Sequence, residues 1–476
     1  MANDVVVDVV VVGGGLAGLS AANRAAELGL SVVVLEQGAA PDYPCNSRYS
    51  GGIVHVAQKD MRADPADIQA AIDALTDGDN STALSPIMAD EAARALEWMR
   101  EQGGKFIKGG VLEFMRWVLA PPRPRRPGLE WKGRGPDVFL RNLTAKLESH
   151  GGKLERGVRA TGLIVEGGRV TGVTVERDGP PEQSKAEQFR SEAVVIADGG
   201  FQGDADMVRQ YISPNPDALF TRGAGNGNGD GLRMAMAAGA GVVGMNRFYG
   251  HLLGRETFNN EKLWPYPTVD AIAQVSVVVD EAGARAFDEG QGGVYMANNI
   301  AALDNPLSMT VVFDDSVWIG LAADNRYPPC MNPSFVNEGG TVFAADSLPE
   351  LAEQIGVDAV GLAKTVADFN AAVEAGSLEA LSPPRATDKF QPNAIRTAPF
   401  HAIQLCAGMT YTMGGVMIDR NSQVLHDDGA PVAGLYAAGS ATGGIEGGPS
   451  AAYIGGLSKA VITGLRAAEH ISNLKG

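Results

Sequence analysis

Hydrophobic positions along the chain follow two periods. Near the start, Val9-Val10-Val11-Val12 is a short β-branched run closed by Gly13-Gly14-Gly15, the pattern of a strand buried on both faces of a parallel sheet. The Ala-rich residues 16–28 predict a helix, and Val32-Val33-Val34-Leu35 predicts a second strand that ends on Glu36. Residues 65–102 turn helical, with Ile68, Ile72 and Leu75 and then Ala92, Leu96 and Met99 at spacings of three and four. A helix follows at 138–149, then strands at 162–165 and 169–176 joined by Gly167-Gly168. A further apolar strand, 192–197, runs into Asp198-Gly199-Gly200, and Asn226-Gly227-Asn228-Gly229-Asp230-Gly231 precedes an Ala-rich helix at 232–238.

From about Met245 to Phe400 aromatics, Pro and Asn become more frequent and no Gly-rich phosphate signature occurs. This stretch predicts a strand at 274–280 and amphipathic helices at 348–354 and 360–375. The Gly-rich style returns at 411–419 and 434–444, before a C-terminal helix at 457–471. The expected architecture is α/β: a discontinuous Rossmann-like domain (1–245 and 398–476) interrupted by a smaller α+β cap (246–397).

The first turn carries the clearest chemistry. In Gly13-Gly14-Gly15-Leu16-Ala17-Gly18 the first glycine makes the tight turn, and Gly15 lets a pyrophosphate reach the helix N-terminus beside Leu16 and Ala17. Gly18 lets the helix pack closely on the strand. Glu36, followed by Gln37, stands 18 residues past Gly18, where an acidic side chain accepts hydrogen bonds from ribose hydroxyls. A dinucleotide is therefore expected. The small residues of Asn46-Ser47 and Ser50-Gly51-Gly52 let backbone approach a ligand. Ala197 and Gly199 lie at the carboxyl end of a strand, where open α/β sheets bind ligands. Ala160, Asn226 and Asp230 join the cofactor candidates, although a plain helix cap explains Asp230 about as well.

Charge narrows the partners. Lys and Arg number 39 against 56 Asp and Glu, a formal charge of -17, which disfavours nucleic acid and favours a small-molecule substrate. Pro121-Pro122-Arg123-Pro124-Arg125-Arg126-Pro127 is a cationic exception, either a solvated loop or an attractor of acidic substrate. No apolar run spans a bilayer and the first residues lack a basic leader, so no membrane segment is expected and the cytoplasm is the default location. Cys45, Cys330 and Cys406 show no metal or haem spacing, so no metal is expected.

Taken together, these segments and their order resemble the flavin-binding dehydrogenases of the fumarate reductase and succinate dehydrogenase superfamily. The resemblance implies FAD and a cap that closes over the isoalloxazine, with hydride transfer to flavin N5. It also implies that Asn46 to Gly52 lie near the flavin, and that the stretch holding Gly439, Ser440, Gly455, Gly456 and Leu457 runs along the ring. Members with covalent flavin carry His where this chain reads Ser47-Arg48-Tyr49-Ser50, so noncovalent FAD is expected.

The chain departs from the fumarate reductases at the substrate positions. Tyr411 stands for a His, Tyr453 for an Arg, and the cap's Thr-Arg-Asp is absent after Phe287, where the chain reads on to Tyr295. Only His251 stands where that family places a substrate His. Losing charge-assisted partners removes most dicarboxylate recognition. Tyrosines at these positions look like the branch of 3-ketosteroid and cyclic-ketone dehydrogenases, including 4-oxocyclohexanecarboxylate-type desaturases. Tyr453, Tyr411, Tyr295 and His251 are thus the catalytic candidates, for introducing an α,β-double bond into a ketone by Tyr-assisted proton removal and hydride transfer. The alternatives are a fumarate reductase-like or tricarballylate dehydrogenase-like carboxylate oxidoreductase and a flavin-binding protein without turnover. For a carboxylate, Arg48, Arg116, Arg222 and the Arg123–Arg126 loop are the candidate holders. His401 is a weaker candidate, and the electron acceptor is not specified by the sequence.

Overall fold

The computed structural model describes residues 5–81, 83–177, 187–324 and 330–475. Its larger sheet places Gln423–Leu425, Pro431–Ala437, Glu187–Ile196, Val5–Val12, Val32–Glu36 and Lys153–Arg156 side by side in that order. Every pairing in this series except the first is parallel. Val9 to Val12 are at most 5% exposed, as a strand covered by helices on both faces requires. The expected hairpin forms from Val158–Glu166 and Arg169–Arg177. It starts four residues earlier than its apolar alternation suggests, because Val158 pairs with Arg177.

The first helix, Leu16–Glu27, lies against the C-terminal helix Gly456–Asn473. Small residues set that contact: a Cβ on Gly464 would fall 2.7 Å from the Ala17 carbonyl oxygen. Gly18 is tighter still, for a Cβ there would lie 2.0 Å from the Gly13 carbonyl oxygen. Gly18→Ala is therefore expected to cost about 1–3 kcal/mol through overpacking at the turn and to lower FAD retention. Thermal unfolding and the flavin absorbance of purified protein check it, and wild-type retention would refute it.

The second sheet is built on one long strand, Phe400–Thr412, which pairs antiparallel with Phe248–Gly254 and Thr310–Asp314. Val277–Val279 adds outside Thr310–Asp314. The strand expected at 274–280 is shorter than its apolar content suggests. A short helix, Asp270–Ala273, precedes it, and only the fully buried Val277, Val278 and Val279 enter the sheet. The helices found at Leu348–Ile355 and Ala359–Ala375 pack their apolar faces with Val277, Val279 and Val312 in a separate small core. Among the described residues no helix is long and apolar enough to cross a membrane.

Candidate active site

Two neighbourhoods meet between the sheets. The first is a cleft of about 870 Å³, the open solvent at its mouth included, at the carboxyl ends of the parallel strands. Gly13, Gly15, Leu16, Ala17, Glu36, Gln37, Asn46, Ser47, Ala160, Ala197, Gly199, Asn226, Asp230 and Ser440 all line it. The first N–H groups of a helix have no acceptor within it, and Gly15, the cap, has no side chain to offer one; Ser47 Oγ takes the Leu16 N–H at 3.1 Å. This is an anion site. Gly199 has φ +96 and nothing within 4 Å of where its Cβ would be, so a ligand can lie directly on its backbone.

Two buried acceptors complete the cleft, Asp198 Oδ1 and Gln202 Oε1, neither bonded to another group among the described residues. Burial pushes the Asp198 carboxyl up to about 7, so near neutrality it can both donate to and accept from a hydroxyl. Orphaned polar atoms beside a backbone cradle fit a dinucleotide with ribose hydroxyls and a pyrophosphate. Sequence reasoning passed over Asp198, although its place just after a strand end is a usable signal.

Several expected residues take other tasks. Glu36 lines the cleft, but its carboxylate already accepts the N–H groups of Gly14 (2.9 Å) and Gly38 (2.7 Å). Asp230 is not the cap of its helix, which is Gly229; it pairs with Arg159 at 2.8 Å and Arg233 at 2.7 Å. Gly18, Ser50, Gly51, Gly52, Gly439, Gly455, Gly456 and Leu457 do not line the cleft. Ser50 holds its turn closed, donating to the Ser47 carbonyl at 2.8 Å. Asn46 ties the cleft to the long strand, donating to the Thr410 carbonyl at 2.9 Å while accepting from Ala224 N–H at 2.8 Å.

The second neighbourhood is a knot of aromatic rings. Tyr249 and His251, on the strand Phe248–Gly254, point to one face because they are two residues apart. The Tyr249 ring stacks on Tyr453 with centroids 3.9 Å apart, and Tyr411 sits 5.6 Å from Tyr249 and 6.4 Å from Tyr453. His251 Nδ1 contacts Asp270 Oδ2, and its Nε2 lies 3.0 Å from Tyr249 Oη. A carboxylate only accepts, so Nδ1 carries the ring proton and Nε2 accepts from the Tyr249 hydroxyl. Asp270 is fixed in turn by the Leu252 N–H at 2.8 Å. Burial pushes the His251 pKa below its usual value against the upward pull of Asp270.

Tyr411 faces the other way. Its hydroxyl donates to both oxygens of buried Glu446, at 2.9 and 3.1 Å. Glu446 also accepts the N–H groups of Ile454 and Gly455 and a bond from Lys459 Nζ at 3.2 Å, an ion pair with both side chains at most 1% exposed. Tyr453 Oη accepts the Gly456 N–H at 3.2 Å, from the first turn of the C-terminal helix. Burial raises the pKa of all three tyrosines, most strongly for Tyr411 and Tyr453. They are neutral phenols at any physiological pH. His55, packed 5.5 Å from Tyr453, is pushed down to about 4 by burial and is likewise neutral.

Tyr295 is not brought to this knot. It lies on the helix Gly293–Ala301, half-buried, where its hydroxyl feels Asp288 and Arg247. The tyrosine that stacks on Tyr453 is Tyr249, which the sequence offers only as a neighbour of His251. His401, the second residue of the long strand, lies ten residues before Tyr411, about 33 Å along it, and bonds to Asp315 at 3.1 Å. Of the arginines, Arg48 is spent in a buried pair with Asp137 at 2.7 Å, and Arg116 is exposed beside Asp60. Arg125 bonds to the Gly109 carbonyl and Arg126 to Glu130, both on the surface.

With this geometry in place, comparison with known proteins identifies the cofactor. The model of the family described as FAD binding domain matches residues 8–451. NADH:fumarate oxidoreductase of Klebsiella pneumoniae is 29% identical over 457 residues, covering 93% of this chain and 45% of that protein. NADH:acrylate oxidoreductase of Vibrio harveyi is 27% identical, and 48% of it is covered. The chain thus spans about half the length of these curated relatives. 4-Oxocyclohexanecarboxylate 2-dehydrogenase of Sinomonas cyclohexanicum is 29% identical over 540 residues, covering 91% of this chain and 87% of that protein. The fold is shared with 3-ketosteroid-Δ4-(5α)-dehydrogenase from Rhodococcus jostii RHA1: TM-score 0.74, 20% identity, 98% of this chain and 97% of that one covered. The chain belongs to the FAD binding domain family, and its cofactor is FAD.

Proposed function

We propose that the chain desaturates a cyclic ketone next to its carbonyl, with noncovalently bound FAD. The observation that carries this reading is the series Asp270, His251, Tyr249, ending against Tyr453. It offers a proton acceptor and a carbonyl donor side by side, the two functions that α,β-desaturation of a ketone needs. FAD, when bound, supplies the acceptor for the hydrogen that leaves the β-carbon with its electron pair.

The chain's own residues do the rest. Tyr453 keeps its proton and receives an N–H bond from Gly456, which sharpens its hydroxyl as a donor toward a ketone oxygen. Polarising that carbonyl acidifies the neighbouring C–H. Tyr249 takes the α-proton on its oxygen as its own proton passes to His251 Nε2, so no free phenolate forms in a site that disfavours one. Asp270 holds the resulting imidazolium, the orienting and charge-compensating part of a triad. Tyr411, committed to Glu446, packs beside both rings and fixes their positions. Residues 246–397 act as a cap that carries Tyr249 and His251 over residues of the two flanking segments.

Neutral phenols suit a neutral carbonyl, and the name of the Sinomonas relative carries a cyclohexanone-type ring. The test is anaerobic: saturated cyclic ketones should bleach the oxidised flavin, whereas succinate and tricarballylate should not. Bleaching by the carboxylates alone would overturn the reading. Tyr453→Phe is expected to slow bleaching by the ketone about 10²-fold, the scale of losing one donor to a developing oxyanion, with FAD content unchanged. Stopped-flow absorbance measures it, and an unaltered rate removes Tyr453 from the reaction.

A further inference from the structure

Two arginines lie beside the ring knot without a counter-charge. Arg222 is 7% exposed. It donates to Thr410 Oγ1 at 3.0 Å and to the Pro265 carbonyl at 2.9 Å, while its Nε has no partner among the described residues. Arg123 reaches in from the Pro-stiffened loop and donates to the Tyr49 carbonyl at 2.8 Å. Both guanidinium groups address one ring: Arg123 Cζ is 5.1 Å and Arg222 Cζ 5.8 Å from the centroid of Tyr266. Among the described residues neither makes an ion pair, although the chain carries 56 acidic side chains. Burial lowers the Arg123 pKa, and the Arg222 charge lowers it further.

A buried charge with no opposite partner is costly, and two cations sharing a ring add mutual repulsion to that cost. Arg222 retains three N–H donors after its two bonds, in the planar fork that matches a carboxylate. Its charge is felt by both Tyr249 and His251, so an anion held there would sit next to the proton relay. Pro121, Pro122 and Pro124 restrict the loop that delivers Arg123, leaving less ordering to be done on binding. The surroundings are apolar and flat: Tyr49 lies 5.3 Å from Trp131 and 6.4 Å from Trp264.

We propose that Arg222 and Arg123 form a carboxylate subsite, and that the substrate is a monocarboxylic acid whose ketone lies across an apolar ring from the acid group. The inference rests on the ketone reading above for the identity of the reacting end, and it assigns the other end. A dicarboxylate is not called for, because the second pole of the site offers only neutral phenols.

The experiment uses the FAD-loaded protein with 4-oxocyclohexanecarboxylate, its methyl ester, and cyclohexanecarboxylate, which has no ketone to react. The acid should half-saturate flavin bleaching at a concentration at least about 100-fold below that of the ester, the scale of losing a charge-assisted pair. Arg222→Gln should bring the two within a few-fold of each other. Equal response to acid and ester in the wild type would overturn the subsite and leave the ketone reading standing. If neither ketone bleaches the flavin, the ketone reading fails, and cyclohexanecarboxylate then decides the subsite alone. It should perturb the flavin spectrum in a saturable way, lost in Arg222→Gln and also in Arg123→Gln, which serves should the first variant not fold. No saturable perturbation in the wild type overturns the subsite.

Discussion

His251→Gln is expected to slow flavin bleaching by a saturated cyclic ketone about 10³-fold, within the 10²–10⁴ that positioned proton transfer contributes. Glutamine can donate to Asp270 and accept from Tyr249, so it preserves the hydrogen bonds and shape, but it cannot take a proton. The pH profile separates chemistry from packing. His251 acts only when neutral, and burial holds its pKa below the usual 6.5 against Asp270, with Arg222 pushing the same way as burial. The wild-type rate should therefore be flat through neutrality and fall on the acid side below that value. Tyr453 must stay protonated, and its pKa is raised above 10, so no alkaline fall is expected below pH 10. In the glutamine variant the acid limb should vanish with the rate. A variant within tenfold of wild type, or one with the same acid limb, would remove His251 from proton transfer.

Glu446→Gln should destabilise the protein by about 3–5 kcal/mol, the usual result of removing one partner from a buried ion pair. Glutamine still accepts from Tyr411 and from the N–H groups of Ile454 and Gly455, so the lost element is the charge facing Lys459. That ammonium is then left with one bond, to the Thr442 carbonyl at 2.8 Å, in a place where its side chain is 1% exposed. Adding Lys459→Met should recover most of the loss, because a neutral pair of similar volume no longer buries an uncompensated charge. Urea titration of the single and double variants measures both terms. A loss under about 1 kcal/mol for Glu446→Gln would show that water or a local rearrangement satisfies Lys459.

Local rules carried the dinucleotide half of the molecule. Glycines at Gly13, Gly15 and Gly18, a β-branched strand before them and an Ala-rich helix after them each speak for the same turn, and the cleft lies where a parallel sheet puts it. The ring knot was harder. Tyr249 and His251 are one strand repeat apart, a signal present in Phe248-Tyr249-Gly250-His251, whereas the family resemblance points to Tyr295 as the cap tyrosine, in a stretch where register slips by a residue or two. Nothing local distinguishes Arg222 from the exposed Arg116; only the packing of Pro265 and Thr410 around it does. Glu446 sits in a Gly-rich run that reads as loop, and its importance arises from Lys459 and Tyr411, which approach it from other segments.

The first strand, Val5–Val12, has a consequence for how the chain is made. One neighbour, Val32–Glu36, follows within a few dozen residues, but the other, Glu187–Ile196, comes much later, and the helix after the first strand rests on Gly456–Asn473. At roughly 5–20 residues per second of synthesis, that last partner arrives on the order of half a minute or more after the strand emerges. Until Glu187–Ile196 emerges, on the order of ten seconds or more at that rate, a run of bare valines is held beside a growing chain with one edge unpaired, a template for the wrong neighbour. Recovery of intact protein should thus depend on how the strand Val5–Val12 is shielded until Glu187–Ile196 pairs with it.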